Sequence, residues 1–386
     1  MANLTLKKKI FVIGPIVPFT GGIAQSNTSL CNNLAKENDL TVISFSLMYP
    51  KFLYPGKKQT DGEMLKNPPF KQQFILNTIN PISWLKIILK IKNEKPDWVV
   101  FQWWHTYFFP SYFTINAFAR MLGAKTNFLC HNVLPHEEGL MTKLIHKPLT
   151  KLLLSCSSHI TTLSETELAI AKKLLPNKKS DFILENSYTT VIKQKPLSQS
   201  SARKLLKLKN KPTILFFGAV RPYKGLEDLI ESVGLLKKSG VDATLLIAGA
   251  FWEPPEKYLE FAKSFGVEKE VVIINKYVPD EEIPAVFGAS DVVVLPHRSA
   301  TQSAIPMLAF LYNTPMIATR VGGNSVFVDD EKTGFLIPPE NPKEMGLALK
   351  QFFSKKLSAK FKSAMKEKSS MLEWSSEKEK KFFGEN

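Results

Sequence analysis

Cysteine is scarce in this chain: Cys31, Cys130 and Cys156 are the only three in 386 residues, and they are far apart. An odd, scattered set excludes a disulfide framework and a cysteine-based metal cluster, and reads as reduced, mostly buried thiols in a cytosolic protein. Long apolar runs are lacking too. The aromatic segment "WVVFQWWHTYFFPSYFTINAFARML" is interrupted by Gln102, His105 and Arg120, so it offers no clean span of about 20 apolar residues. The opening "MANLTLKKKIFVIGPIVPF" sets lysines before an apolar stretch, as a signal peptide does. Gly and Pro break that stretch and no small-residue cleavage pattern follows, so it reads as a first β-strand. The dinucleotide fingerprint G-x-G-x-x-G is missing after that strand. Acidic side chains are the remaining shortage, 35 against 51 Lys plus Arg, for a formal net charge of +16.

What is present describes a soluble globular protein long enough for two domains, with 44% apolar and 22% charged residues. The basic excess is uneven. Residues 1–193 carry 23 basic and 12 acidic side chains (+11), and residues 194–386 carry 28 and 23 (+5). Such a bias suits an anionic partner for the first half, whether a membrane surface, a lipid phosphate or nucleic acid; a generic basic surface explains it equally.

Short apolar runs alternate with helical patterns along the whole chain. "KKIFVIG", "LTVISFS", "DWVVFQ", "KTNFLCH", "HITTLS" and "DFILEN" read as strands in the first half, and "PTILFFG", "ATLLIAG", "EVVIIN", "DVVVLP" and "TPMIAT" in the second. Fully apolar strands separated by helices predict parallel sheets covered on both faces. The pattern occurs twice, and the polar stretch Asn186 to Lys211 between the copies reads as a linker with a lead-in helix. The expected fold class is therefore α/β, two doubly wound Rossmann-like domains facing across a cleft. The N-terminal one spans 1–190 and the C-terminal one 205–368, with a terminal helix over about 370–386.

In such sheets ligands bind beyond the carboxyl ends of the strands, so residues just after each strand are the candidates. After "FVIGP" come Gly21 and Gly22, which admit a ligand close to the backbone at a helix N-terminus or simply make a tight turn. "FQWWHT" and "FLCHNV" place His105 and His131 at strand ends, where an imidazole donates to a sugar hydroxyl or phosphate, shuttles a proton, or bonds a neighbouring loop. In "ILFFGAVRPYKGLEDLI" the strand ends at Gly218, and Arg221 and Lys224 follow three residues apart. A guanidinium fork beside an ammonium makes an anion clamp. "LLIAG" ends in Gly249, and "ATRVGGN" carries Gly322 and Gly323 after another strand. After "DVVVLP", the corner holding Thr301, Gln302 and Ser303 offers hydroxyls, an amide and N–H groups, a setting for phosphate or for ordinary capping.

Taken in order, "GGIAQ", "FFGAVRPYKGLEDLI", "LLIAG", "YVPDEEIPAVFGASDVVVLPHRSATQS" and "PMIATRVGGN…TGFLIPPENP" resemble the family 4 retaining glycosyltransferases of the GT-B fold over nearly the whole chain. The resemblance implies a Gly-rich loop at Gly21 and Gly22, a diphosphate-binding pair at Arg221 and Lys224, and a sugar-contacting His131. It also implies a base-binding segment at Tyr277 and Val278, donor contacts from Gly218 and Gly249, and an acceptor-side role for His105. Trp374 in "MLEWSSEKEKKFF" fits the family's terminal helix that returns to the first domain. The chain departs from the pattern at one place: the two glutamates expected eight positions apart fall on Ala300 and Leu308. The form "RSATQS" resembles a variant subgroup lacking both.

These residues lead to the expectation of a cytoplasmic, metal-independent retaining glycosyltransferase without a cofactor, using a nucleotide-diphosphate sugar as co-substrate. Its expected acceptor is a lipid-linked or cell-envelope saccharide, and its expected partners include an anionic membrane surface, at the inner face of the plasma membrane, and no nucleic acid. Two rival readings keep the same scaffold: a catalytically silent binding partner, and a nucleotide-sugar epimerase.

Overall fold

The computed structural model describes residues 7–51, 53, 59, 60, 64–134, 140–184, 195–299 and 303–385. The chain divides into two compact units, residues 1–186 together with 374–386, and residues 187–373.

The first unit is one all-parallel sheet of seven strands: β1 (Lys9–Ile13), β2 (Asp39–Leu47), β3 (Lys71–Asn77), β4 (Trp98–Trp103), β5 (Lys125–Cys130), β6 (His159–Thr162) and β7 (Ser180–Phe182). Their order is β3-β2-β1-β4-β5-β6-β7. Helices α1 (Gly22–Leu34), α2 (Pro81–Glu94), α3 (Phe109–Met121), α4 (Lys147–Ser155) and α5 (Glu165–Leu174) cover both faces. Local sequence fixes where they start. Asn80 caps α2 by accepting from Ile82 N–H, with Pro81 at the first helical position, and Ser164 caps α5 by accepting from Glu167 N–H. Alternation along the strands divides the core. Phe11, Phe101 and Phe128 face α2, α3 and α4, while Val12, Val100 and Leu129 face Leu30 and Leu34 of α1. The Phe101 and Phe128 rings stack with centroids 4.7 Å apart across β4 and β5, each buried ring contributing roughly 1.5–3 kcal/mol.

The second unit begins with α6 (Gln199–Leu205) and repeats the plan with β8 (Thr213–Phe217), α7 (Leu226–Lys238), β9 (Thr244–Ala248), α8 (Pro255–Ser264), β10 (Val271–Ile274), α9 (Ile283–Ala289), β11 (Val292–Leu295), α10 (Ile305–Leu311), β12 (Met316–Thr319), α11 (Asn324–Phe327), β13 (Gly334–Ile337), α12 (Pro342–Ser354) and α13 (Ser358–Ser369). Its six parallel strands run β10-β9-β8-β11-β12-β13. The last helix, α14 (Ser376–Phe383), joins the first unit: Phe382 O accepts from Asn127 Nδ2 at 2.6 Å, and the Phe383 ring lies 5.0 Å from that of Trp98.

Two strands lie outside the apolar runs read from the sequence. β3 is an edge strand whose polar start, "KQQ", stays partly exposed, and β13 is a four-residue run ending at a double proline. Helix α6 stands where a lead-in helix was expected and is tied to the second unit, with Arg203 donating to Ala289 O and Asp291 Oδ2 at 3.1 and 2.8 Å. The boundaries also differ. The second unit runs on through 373, and the returning segment starts at Trp374 instead of about 370.

Strand order reverses direction between β1 and β4 in one sheet and between β8 and β11 in the other. These switch points leave crevices at the carboxyl ends of the strands, where ligands of open α/β sheets bind.

Candidate functional site

In the second unit the loops after β8 and β11 are wedged together. Gly225 precedes α7 with φ of 65°, and a Cβ there would meet Pro296 O at 2.1 Å. Only glycine permits both the left-handed backbone and this approach. Gly249, after β9, faces the Gly218 carbonyl so closely that a Cβ would come within 2.0 Å. Arg298 then locks the corner. Its Nε and Nη2 donate to Asp228 Oδ2 and Oδ1 at 3.0 and 2.8 Å, and its backbone N–H donates to Tyr223 O at 2.8 Å. The paired carboxylate raises the Arg298 pKa further.

Lys224 and Arg221 both stand in this crevice, with different surroundings. The Lys224 ammonium lies 3.2 Å from where a Gly218 Cβ would be. Burial, and after it the charge of Arg221, pulls its pKa down to about 8. No carboxylate pairs with Lys224 among the described residues. A cation partly withdrawn from water without a counter-ion is a costly arrangement that a bound anion relieves. The Arg221 guanidinium instead rests on the Trp252 ring, 3.8 Å from its centroid, a stack that orients the fork while leaving its N–H edge available. His297, between the lysine and the core, is buried, with Nδ1 lacking a partner. Burial and then Lys224 hold its pKa near 3, so the ring is neutral.

The other second-unit candidates are less uniform. Gly218 ends β8 with φ of 93°. Tyr277 is exposed, whereas Val278 is buried in the core, so only its backbone can meet a base. Ser303 Oγ accepts from Ile305 N–H at 3.3 Å just before α10, whose N-cap residue is Ala304. Thr301 and Gln302 lie outside the described residues, as does Ala300. Leu308 is a core side chain of α10, packed in the cluster that holds Leu295 and Met316. Gly322, with φ of 51°, and Gly323 lead from β12 into α11.

In the first unit the switch point holds a polar cluster. Gly14, after β1, makes room for Gln102 of β4, whose Cγ would be 2.3 Å from a Cβ there. Gln102 Oε1 lies 2.8 Å from His131 Nε2. Burial lowers the His131 pKa to about 4, which leaves the ring neutral and assigns the Nε2 proton to the bond with Gln102. The following loop is held by Glu167 of α5, whose Oε2 accepts from Val133 N–H at 2.6 Å. Its Oε1 is buried without a partner, and burial raises the Glu167 pKa to about 7 against the pull of that N–H. Gly21 caps α1 with φ of 104° and open space beside it, and Gly22 is the first helical residue. His105 is different: its Nδ1 accepts from Tyr107 N–H at 3.0 Å, the loop-bonding alternative, while partial burial and then His146 lower its pKa.

Sequence reasoning passed over Gln102, Glu167, Trp252, His297 and the Arg298–Asp228 pair. His297 follows a strand just as His105 and His131 do, so the same rule would have found it. The others depend on partners 29 to 70 residues away, which no local pattern reports.

Solved structures with this architecture are glycosyltransferases of the GT-B fold. Sucrose-phosphate synthase from Thermosynechococcus elongatus superposes with a TM-score of 0.71 at 14% identity, over 95% of this chain and 96% of that one. Anabaena Alr3699/HepE in complex with UDP gives 0.70 at 14% identity over 94% of each chain, and HepE is also solved with UDP-glucose. At such identities the likeness is one of fold, and that fold is GT-B. Within it, residues 198–369, which lie in the second unit, match the family model for glycosyl transferases group 1. Among curated proteins, D-inositol 3-phosphate glycosyltransferase of Corynebacterium glutamicum (strain R) is 33% identical over 134 residues. The match spans 33% of this chain and about a third, 32%, of that protein.

Proposed function

We propose that the chain is a retaining glycosyltransferase that moves a sugar from a nucleotide-diphosphate sugar to a lipid-linked or cell-envelope saccharide. One observation carries the reading: Lys224, half-buried at the β8 switch point without a carboxylate partner among the described residues, beside an Arg221 oriented by Trp252. A leaving diphosphate carries the charge that such a pair neutralises, and fixed electrostatics aimed at developing charge is usually the largest catalytic contribution. No metal enters this reading, because the two cations take the part a divalent ion plays elsewhere. The group 1 match and the UDP complexes of a protein of the same fold support a nucleotide-sugar donor.

Neutral His131, with Nε2–H given to Gln102, is left with Nδ1 as an acceptor for a hydroxyl of the transferred sugar. Retention would follow from the acceptor hydroxyl attacking on the face the diphosphate leaves, with no protein nucleophile. The variant subgroup lacking both glutamates fits Leu308, which the core has absorbed. The +11 of the first half supports an acceptor presented at an anionic membrane, on the cytoplasmic side.

Time-resolved nuclear magnetic resonance of uridine, guanosine and adenosine diphosphate sugars, with and without acceptor extract, tests the reading. Consumption that requires the extract is the expected result. Epimerisation without it, or no change at all, overturns the transferase in favour of one of the rivals.

A further inference from the structure

Three neighbouring helices of the first unit, α2, α3 and α4, pack on one face of its sheet, and their outward sides are apolar where a surface should be polar. On α2, Ile82, Leu85 and Leu89 are all exposed at spacings of three and four. Met121 closes α3 at 79% exposure, and Leu144 stands at 65% in the π-helical turn Thr142–His146 that runs directly into α4. Leu152 continues that stripe two turns further on. Single exposed apolar residues are ordinary, but a contiguous set over adjacent helices marks an interaction surface.

The charges among them are of one sign. Residues 140–155 contain Lys143, Lys147 and Lys151 at four-residue spacing and no carboxylate, and α3 contains Arg120 and none. Helix α2 adds Lys86, Lys90 and Lys92, and its one acid, Glu94, is already bonded to Lys90 and faces Lys9 at 3.5 Å. Apolar stripes flanked by lysines are the pattern of helices that lie in the plane of a membrane interface. No helix among the described residues is long and apolar enough to cross a membrane.

We propose that the α2–α3–α4 face docks the protein flat on a bilayer rich in anionic lipid. Ile82, Leu85, Leu89, Met121, Leu144 and Leu152 enter the acyl boundary while the flanking lysines reach the headgroups. The charge pattern selects this occupant over others. A second copy seated symmetrically on the same face would set Lys143, Lys147 and Lys151 against themselves, and a polyanion without an apolar phase would leave the leucines in water. The proposal deepens the proposed function, on which it rests for the anionic membrane, by naming the face that meets it; its test needs no sugar transfer, so the two fail separately.

The test is flotation of the full chain with phosphatidylcholine vesicles, with and without phosphatidylglycerol, in low and high salt. The expected result is binding that requires phosphatidylglycerol and weakens with salt. Replacing Ile82→Asp and Leu144→Asp together should weaken partition by roughly tenfold or more, through lost burial of apolar side chains. Thermal midpoint and binding of uridine, guanosine and adenosine diphosphates should stay unchanged in that variant. Lys143→Gln, Lys147→Gln and Lys151→Gln combined should lower binding at low salt. Flotation of the aspartate variant equal to wild type overturns the proposal, as does failure of the wild type to bind phosphatidylglycerol vesicles. A wild-type dimer in sedimentation that the aspartate variant splits assigns the face to a second copy and also overturns it.

Discussion

Arg298 holds both carboxylate oxygens of Asp228 through Nε and Nη2, and so ties the corner after β11 to the first turn of α7, 70 residues away in sequence. The loop bearing Arg221 and Lys224 lies between those two anchors, and the Tyr223 carbonyl is bonded to the Arg298 N–H. Arg298→Lys should therefore fail to restore what Arg298→Ala loses, since an ammonium cannot span both oxygens. The expected loss is about 1–2 kcal/mol of stability, the pair being partly exposed, together with weaker nucleotide-diphosphate binding. Calorimetry on the two variants decides. A lysine variant equal to wild type would reduce the pair to generic attraction.

Lys224→Ala and Arg221→Ala should each weaken nucleotide-diphosphate binding by roughly 1.5–3 kcal/mol, the range for hydrogen bonds to charged groups. Lys224 adds a pH signature. Its folded pKa of about 8 lies below the 10.5 of an ordinary lysine, so within that window the folded chain holds fewer protons than the unfolded one. Stability rises with pH across it. Affinity runs the opposite way, because the diphosphate needs the ammonium. Above pH 8, binding should take up a proton in wild type and not in Lys224→Met, read from calorimetry in buffers of different ionisation enthalpy. Equal proton uptake by both would remove Lys224 from the clamp.

The neutral His131 should impose no break in the pH–rate profile above pH 5, and His131→Ala should lower turnover far more than nucleotide affinity. Beside it, Glu167 is the group of this cluster that burial brings near neutrality. Its folded pKa of about 7 exceeds the ordinary 4.5, so the folded chain holds extra protons between those values and loses stability as pH rises through them. Glu167→Gln keeps an acceptor for Val133 N–H and removes the buried charge. It should gain on the order of 2–3 kcal/mol at pH 8 relative to wild type and nothing at pH 4. Melting curves at the two pH values with no differential gain would show that the carboxylate is better solvated than its burial implies.

Leu308→Glu places a carboxylate in a core cluster, at a cost of several kcal/mol. The expected outcome is a lower melting temperature and activity at or below wild type. A several-fold gain in steady-state transfer would instead mark the site as a decayed copy of the two-glutamate form.

Much of this arrangement was readable in advance. Strands buried on both faces leave unbroken apolar runs, so the strand-end positions of Gly21, His131, Gly218, Arg221, Lys224 and Gly249 could be read from the sequence. β3 escaped because an edge strand is half wet and its first residues are polar. Val278 was named for a base, yet its side chain is spent in the core, since a loop residue's direction depends on which neighbouring strand it crosses. Trp252 meets Arg221 from the loop after a different strand, and Glu167 meets Val133 from helix α5. Sequence distance hides such meetings, and only the closed sheet shows them.

The first unit is discontinuous, and this sets the order of its assembly. Residues 374–386 emerge from the ribosome after all of the second unit, yet α14 supplies the Phe382 carbonyl to Asn127 and Thr161 and rings that cover Trp98. Without α14, Asn127 Nδ2 would keep only Thr161 Oγ1 as acceptor, and the Trp98 ring of β4 would lose its cover. The second unit, contiguous in the chain, can close by itself as it leaves the exit tunnel. The unit whose residues come first in the chain is thus completed only by residues that follow the whole of the other unit.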